Sequence, residues 1–165
     1  MRSVAFQEPF VQCVNENRIV HLATEIEFVA GDQVELHLAK ILAAIKTISD
    51  KPIRHVINTS ADEHHTSGNE RLSNAGRNVS AGTGGQGGRE PARLEGAPVI
   101  AHEQVLHRMS GLKGEPERMP FGVWPHDTFY TNRKQLYFGD EVVEMLFMPA
   151  AHTDGDVIVW FRGSD

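Results

Sequence analysis

Cysteine is almost missing from this 165-residue chain. Cys13 stands alone, so no intrachain disulfide framework can form, and a reducing compartment is expected. Aromatic residues make up only 7%, and no apolar run approaches the roughly 18–20 residues that a membrane-crossing helix needs. The stretch 1–10 lacks both an apolar h-region and a cleavage site, so neither an export signal nor a membrane partner is expected. Positive charge is in deficit: 16 Lys and Arg stand against 22 Asp and Glu, and neither sign forms a long block, which excludes nucleic acid as the expected partner. A chain of this length buries on the order of 70% of its unfolded surface without covalent staples, so one cytoplasmic domain over 1–165 is the expectation.

Histidine is what the composition has in abundance. Nine of them occur in a mildly acidic chain, and imidazole is the commonest metal ligand and a frequent proton carrier.

Leu36, Leu38, Ile41, Leu42, Ile45 and Ile48 recur mostly three and four apart, which predicts a helix over 35–48. Pro52 ends it, and Ile53, Val56 and Ile57 read as a following strand. The polar stretch 58–69 reads as a loop, 70–75 as a second helix capped by Gly76, and 78–80 as a brief strand. The segment 82–88 holds five Gly but no Gly-Lys followed by Ser or Thr, so it reads as a flexible loop rather than a phosphate cradle. A strand is predicted over 98–101, a helix over 102–109 and a connector over 111–125. Four strands at 128–131, 135–138, 142–148 and 157–161 follow, separated by turn signals at Asn132-Arg133, Gly139-Asp140 and Asp154-Gly155, which predicts an antiparallel meander. The N-terminal 34 residues carry the weakest pattern, with 20–29 reading as a strand pair interrupted by Glu25 and Glu27. The whole reads as α/β (α+β).

Asp62, His64 and His65 place a carboxylate and two imidazoles within four positions at the C-terminal end of a strand, where α/β folds commonly bind ligands. Those donors can converge on one metal ion. The competing interpretation is a solvated loop in which Thr66 or Ser67 caps the next helix, with Glu70 completing a capping box. His152, in a turn between two apolar strands, is a second candidate ligand. His102 and His107 are five apart, about 140° around a helix, so they read as surface or packing residues. Cys13 has no neighbouring base, and Ser60 and Ser67 lack the glycine setting of a nucleophile elbow.

Asn58-Thr59-Ser60-Ala61-Asp62-Glu63-His64-His65-Thr66-Ser67-Gly68-Asn69 resembles the metal-binding loop of the metallo-β-lactamase fold superfamily, Asn-Thr-His-x-His-x-Asp-His-x-Gly-Gly-Asn. Ala151-His152-Thr153-Asp154-Gly155-Asp156, followed by Val157-Ile158-Val159-Trp160, resembles that family's next ligand motif, His-Thr-x-Gly-Asp before an apolar strand. The likeness runs from about Leu36 to Asp165. It implies part of an αββα sandwich, roughly the first half to two-thirds, with dimerisation through the unfinished sheet as an expected consequence.

The resemblance also implies chemistry. His65 and His152 match family ligands, while Ser60 stands in place of the first His, Asp62 of the second and His64 of the Asp. A hydroxyl is a poor zinc ligand, but Asp62 and His64 keep donor atoms. The implied site is therefore Asp62, His64, His65 and His152 around one or two zinc ions, with Asp62 or His64 as the catalytic group that orients a metal-activated water. The implied function is a metal-dependent hydrolase acting on a small-molecule ester, amide or phosphoester. Nothing singles out a β-lactam, since one fold hosts many hydrolytic reactions. The family's early Val-Asp-Thr-Gly-like segment has no equivalent over 28–35, and its bridging Asp and final His lie beyond the match. These departures imply the alternative of a catalytically impaired or truncated relative that acts as a non-enzymatic binding module.

Overall fold

The computed structural model describes residues 10–15, 18–23, 32–78, 96–112, 114, 118–138 and 141–163. Strands β1 (Phe10–Asn15) and β2 (Arg18–Ala23) precede helix α1 (Asp32–Ile48) and strand β3 (His55–Asn58). Helices α2 (Glu63–Thr66) and α3 (Asn69–Ala75) follow, then strand β4 (Val99–His102) and helix α4 (Glu103–Met109). After a single 3-10 turn at Phe121–Val123 come β5 (Asp127–Phe129), β6 (Arg133–Phe138), β7 (Glu141–Met148) and β8 (Asp156–Phe161). One sheet has the order β2-β1-β3-β4-β5, with β1 antiparallel to both neighbours and β3, β4 and β5 parallel. The other is the antiparallel meander β6-β7-β8.

Burial explains the layering. Val56 and Val99 point from the mixed sheet toward Leu38, Ile41 and Ile45 of α1 and Leu72 of α3. Ile57 and Ile100, one residue on and hence on the opposite face, pack with Phe129 against Val143, Met145, Val157 and Phe161. The central strands are covered on both faces, which is why their sequence reads as an apolar run rather than as an alternation. The result is a mixed α/β arrangement: helices, a mixed sheet, then an antiparallel sheet. Among the described residues no helix is long and apolar enough to cross a membrane.

The expected four-stranded meander has three strands. Its predicted first member, β5, instead lies parallel to β4, with His102 opposite Phe129. Phe129 is buried there beside Ile100, while the chain crosses to the second sheet at Asn132, whose carbonyl accepts from Phe147 N–H at 2.9 Å. The Asn132-Arg133 turn signal therefore marks a passage between sheets, not a hairpin. β1 and β2 pair with Phe10 opposite Ala23 and Asn15 opposite Arg18, and of the 20–29 stretch only 20–23 lies among the described residues, in β2. Asn78 is not in a strand, and the rest of that predicted strand, the 82–88 loop, the Gly139-Asp140 turn and residues 24–31 lie outside the described residues.

Gly76 does close α3, but through close packing rather than a left-handed backbone: its φ is −98°, and a Cβ there would fall 2.5 Å from both Ala97 Cβ and the Ile53 carbonyl oxygen. The capping box of the solvated-loop interpretation is absent. Gly68 is the N-cap of α3, and Thr66 ends α2 with its hydroxyl donating to the Asp62 carbonyl at 3.1 Å.

His55, at the start of β3, is held near pKa 4, chiefly by burial, with Asp127 opposing and Arg54 and Lys134 assisting the depression. The unfolded chain therefore takes up a proton between about pH 6.5 and 4 that the folded chain refuses. The His55 contribution is complete above pH 6.5 and is lost as pH falls toward 4, a change of about 1–2 kcal/mol after allowance for partial exposure. Urea midpoints measured at both ends of this window should show a smaller acid loss in His55→Asn than in the parent. An identical loss would assign the pH dependence elsewhere.

Candidate metal centre

The loop that follows β3 is built around two buried amides. Asn58 and Asn69 exchange side-chain hydrogen bonds of 2.9 and 2.8 Å, and neither has measurable exposure. Each amide also donates to a backbone carbonyl: Asn58 to His65 at 3.0 Å, Asn69 to Val123 at 2.7 Å. All polar valences in a dry place are thereby met, so the chain from 58 to 69 has one shape. Within it, Ala61 is buried against Ala101, Val105 and Met109, and Asp62 turns the chain into α2.

Side-chain donors gather around Asp62. Asp62, His64 and His65 can each offer one ligand atom such that all three atoms lie within 4.8 Å of one another. Asp62 Oδ2 is 4.0 Å from His64 Nε2 and 3.3 Å from His152 Nε2. Adjacent corners of a tetrahedral zinc site with ligands at 2.0–2.1 Å stand about 3.3–3.4 Å apart, so the Asp62–His152 pair already has that spacing. His152 faces the group at Asp62 and is 78% exposed. Two imidazoles and a carboxylate, with a third imidazole 3.3 Å from that carboxylate, are donor types that zinc accepts.

His65 is the best-held member. Its Nδ1 lies 3.1 Å from Thr59 Oγ1, which leaves Nε2 for the cluster. Burial, then the neighbouring His64, lower its pKa against the pull of Asp62 and Asp156, so it is neutral and ligand-ready at pH 7. Thr59→Val keeps the shape but removes the group that orients this ring, and should weaken zinc binding about tenfold in a chelator competition. An unchanged affinity would show that the Thr59 contact does nothing for His65.

The second motif reaches the first because its turn is clamped. Asp156 accepts from Thr153 N–H at 2.8 Å and from the Thr153 hydroxyl, which in turn accepts from Gly155 N–H at 3.2 Å. Arg108 of α4 pairs with Asp154 at 2.6 Å, and Gly155 packs so closely on α4 that a Cβ would stand 3.1 Å from Val105. Val157 N–H donates to the Thr59 carbonyl at 2.9 Å, which joins the turn directly to the loop.

Ser60, which the resemblance set against a ligand, is not part of the group. Its buried hydroxyl accepts from Asp62 N–H at 3.3 Å, so it shapes the loop instead. His102 is buried as the N-cap of α4, accepting from Gln104 N–H and stacked on Phe147 with centroids 3.6 Å apart, while His107 lies in the last turn of that helix. Asn58, Asn69, Thr59 and Arg108 were not singled out from sequence. The Asn at either end of the polar stretch was the available signal for the amide pair; no local signal pointed to Arg108.

No protein-family model matches the chain, and no curated protein matches it either. Function has to be read from the site itself.

Proposed function

We propose that this chain is a metal-dependent hydrolase of the metallo-β-lactamase type, in which Asp62, His64, His65 and His152 hold zinc. The observation that carries the reading is the meeting of two motifs about 90 residues apart at one carboxylate, with Asp62 3.3 Å from His152. The order of layers, helices on a mixed sheet on an antiparallel sheet, supports it as three layers of an αββα sandwich. When bound, zinc supplies Lewis acidity toward a carbonyl or phosphoryl oxygen and lowers the pKa of water toward neutrality. Asp62 would accept a hydrogen bond from the attacking water and orient it. His65, fixed by Thr59 and the Asn58 amide, would hold the geometry constant.

One observation favours the second reading, a non-catalytic binding module: the hydroxyl at the first ligand position is turned onto its own backbone. The two readings separate on paired measurements. Zinc content after chelator-free purification should be stoichiometric in the parent and negligible in His65→Ala/His152→Ala, and only the zinc-bearing protein should cleave nitrophenyl esters or phosphodiesters. Equal, negligible zinc in both proteins would overturn metal binding. Zinc without turnover would leave the binding module.

A further inference from the structure

The segment between α4 and β5 carries a cation and an exposed ring that the zinc site does not use. Arg118 lays its guanidinium over the Trp124 indole, 4.6 Å from the ring centroid, and Phe121 meets that indole edge-on at 5.0 Å. The indole is itself fixed, its N–H donating to the Met119 carbonyl at 3.0 Å. Phe121 is 50% exposed despite its place in a rigid 3-10 turn, and Arg118 makes no ion pair among the described residues. A guanidinium held over an indole has lost part of its rotamer freedom before a ligand arrives, so its N–H groups are a partly pre-organised receptor for a carboxylate. The exposed phenyl ring beside it offers apolar surface that water covers poorly.

This receptor is tied to the helices of the metal centre. Thr66, the neighbour of His65, places its hydroxyl oxygen 3.6 Å from Met119 Sδ, and Asn69 donates to the Val123 carbonyl at 2.7 Å. Gly122 sits so close to α3 that a Cβ would fall 2.8 Å from the Glu70 carboxylate. A molecule seated on the segment is therefore held at a fixed position relative to α2.

We propose that residues 118–124 bind an amphiphilic carboxylate, with Arg118 taking the carboxylate and Phe121 the aromatic or branched apolar group. That this molecule is the substrate rests on the hydrolase reading; the binding does not.

The probe is 3-phenylpropionate, titrated into the Trp160→Phe protein so that Trp124 is the remaining indole of the two. The expected result is a saturable fluorescence change with a dissociation constant near 1 mM. The uncharged 3-phenylpropionamide should bind about tenfold more weakly. Arg118→Gln should lose about tenfold for the acid and nothing for the amide, and Phe121→Ala should weaken both by roughly five- to tenfold. Calorimetry gives the same ranking without relying on the indole. His65→Ala/His152→Ala should keep the probe affinity while losing zinc. If Arg118→Gln binds the acid as the parent does, or the parent shows no saturation, the carboxylate site is overturned even where zinc binds. If the probe binds through Arg118 in a parent that takes up no zinc, the site stands and the hydrolase reading fails.

Discussion

Asp62→Ala is expected to lower zinc affinity by more than about 100-fold, whereas Ser60→Ala should cost at most about tenfold. The contrast follows from where the two side chains point. Asp62 Oδ2 lies near both His64 and His152, so without it the two segments stay joined through their backbone but lose the carboxylate that faces both imidazoles. Ser60 contributes a single 3.3 Å hydrogen bond to the backbone of the same loop, and its loss removes about 0.5–1.5 kcal/mol of loop order. Competition against a chromophoric chelator at neutral pH measures both. Comparable losses in the two variants would mean that the hydroxyl ligates, and no loss in Asp62→Ala would remove the carboxylate from the site.

Asn58→Ala should destabilise the fold by about 2–4 kcal/mol, because it removes two donations and an acceptance at once and leaves the Asn69 amide and the His65 carbonyl unsatisfied in a dry interior. Both amides are without measurable exposure, so the lost partners are not replaced by bulk water. The same substitution frees the 59–66 segment, so zinc affinity should fall as well although Asn58 is not a ligand. Chemical denaturation and chelator competition on one preparation test both halves. A stability change under 0.5 kcal/mol would show that the amide pair is incidental to the fold.

Several elements were legible in the sequence. The helix expected over 35–48 is α1, and its spacing of three and four correctly assigns Leu38, Ile41 and Ile45 to the core. The strands expected at 98–101, 142–148 and 157–161 are present to within a residue or two. The polar stretch after β3 was read as a loop, but residues 63–66 form a turn of helix whose start was hidden, since Asp62 caps it without a side-chain hydrogen bond and the capping signal at Ser67 lay beyond its end. His102 was recognised as unfit for a metal pair, yet its role as a buried cap stacked on Phe147 depended on a strand 45 residues away.

The sequence by itself determined the helix and most strands, and which residues carry ligand atoms, because periodicity, proline and glycine act over a few neighbouring positions. Only the tertiary structure decided that β5 joins β4 rather than β6, that Ser60 turns onto its backbone, and that Asp62 meets His152. Those outcomes depend on which apolar faces can be buried against one another and on how Arg108 and Thr59 clamp a turn from far along the chain. Contacts of that kind leave no trace in any short window of adjacent residues.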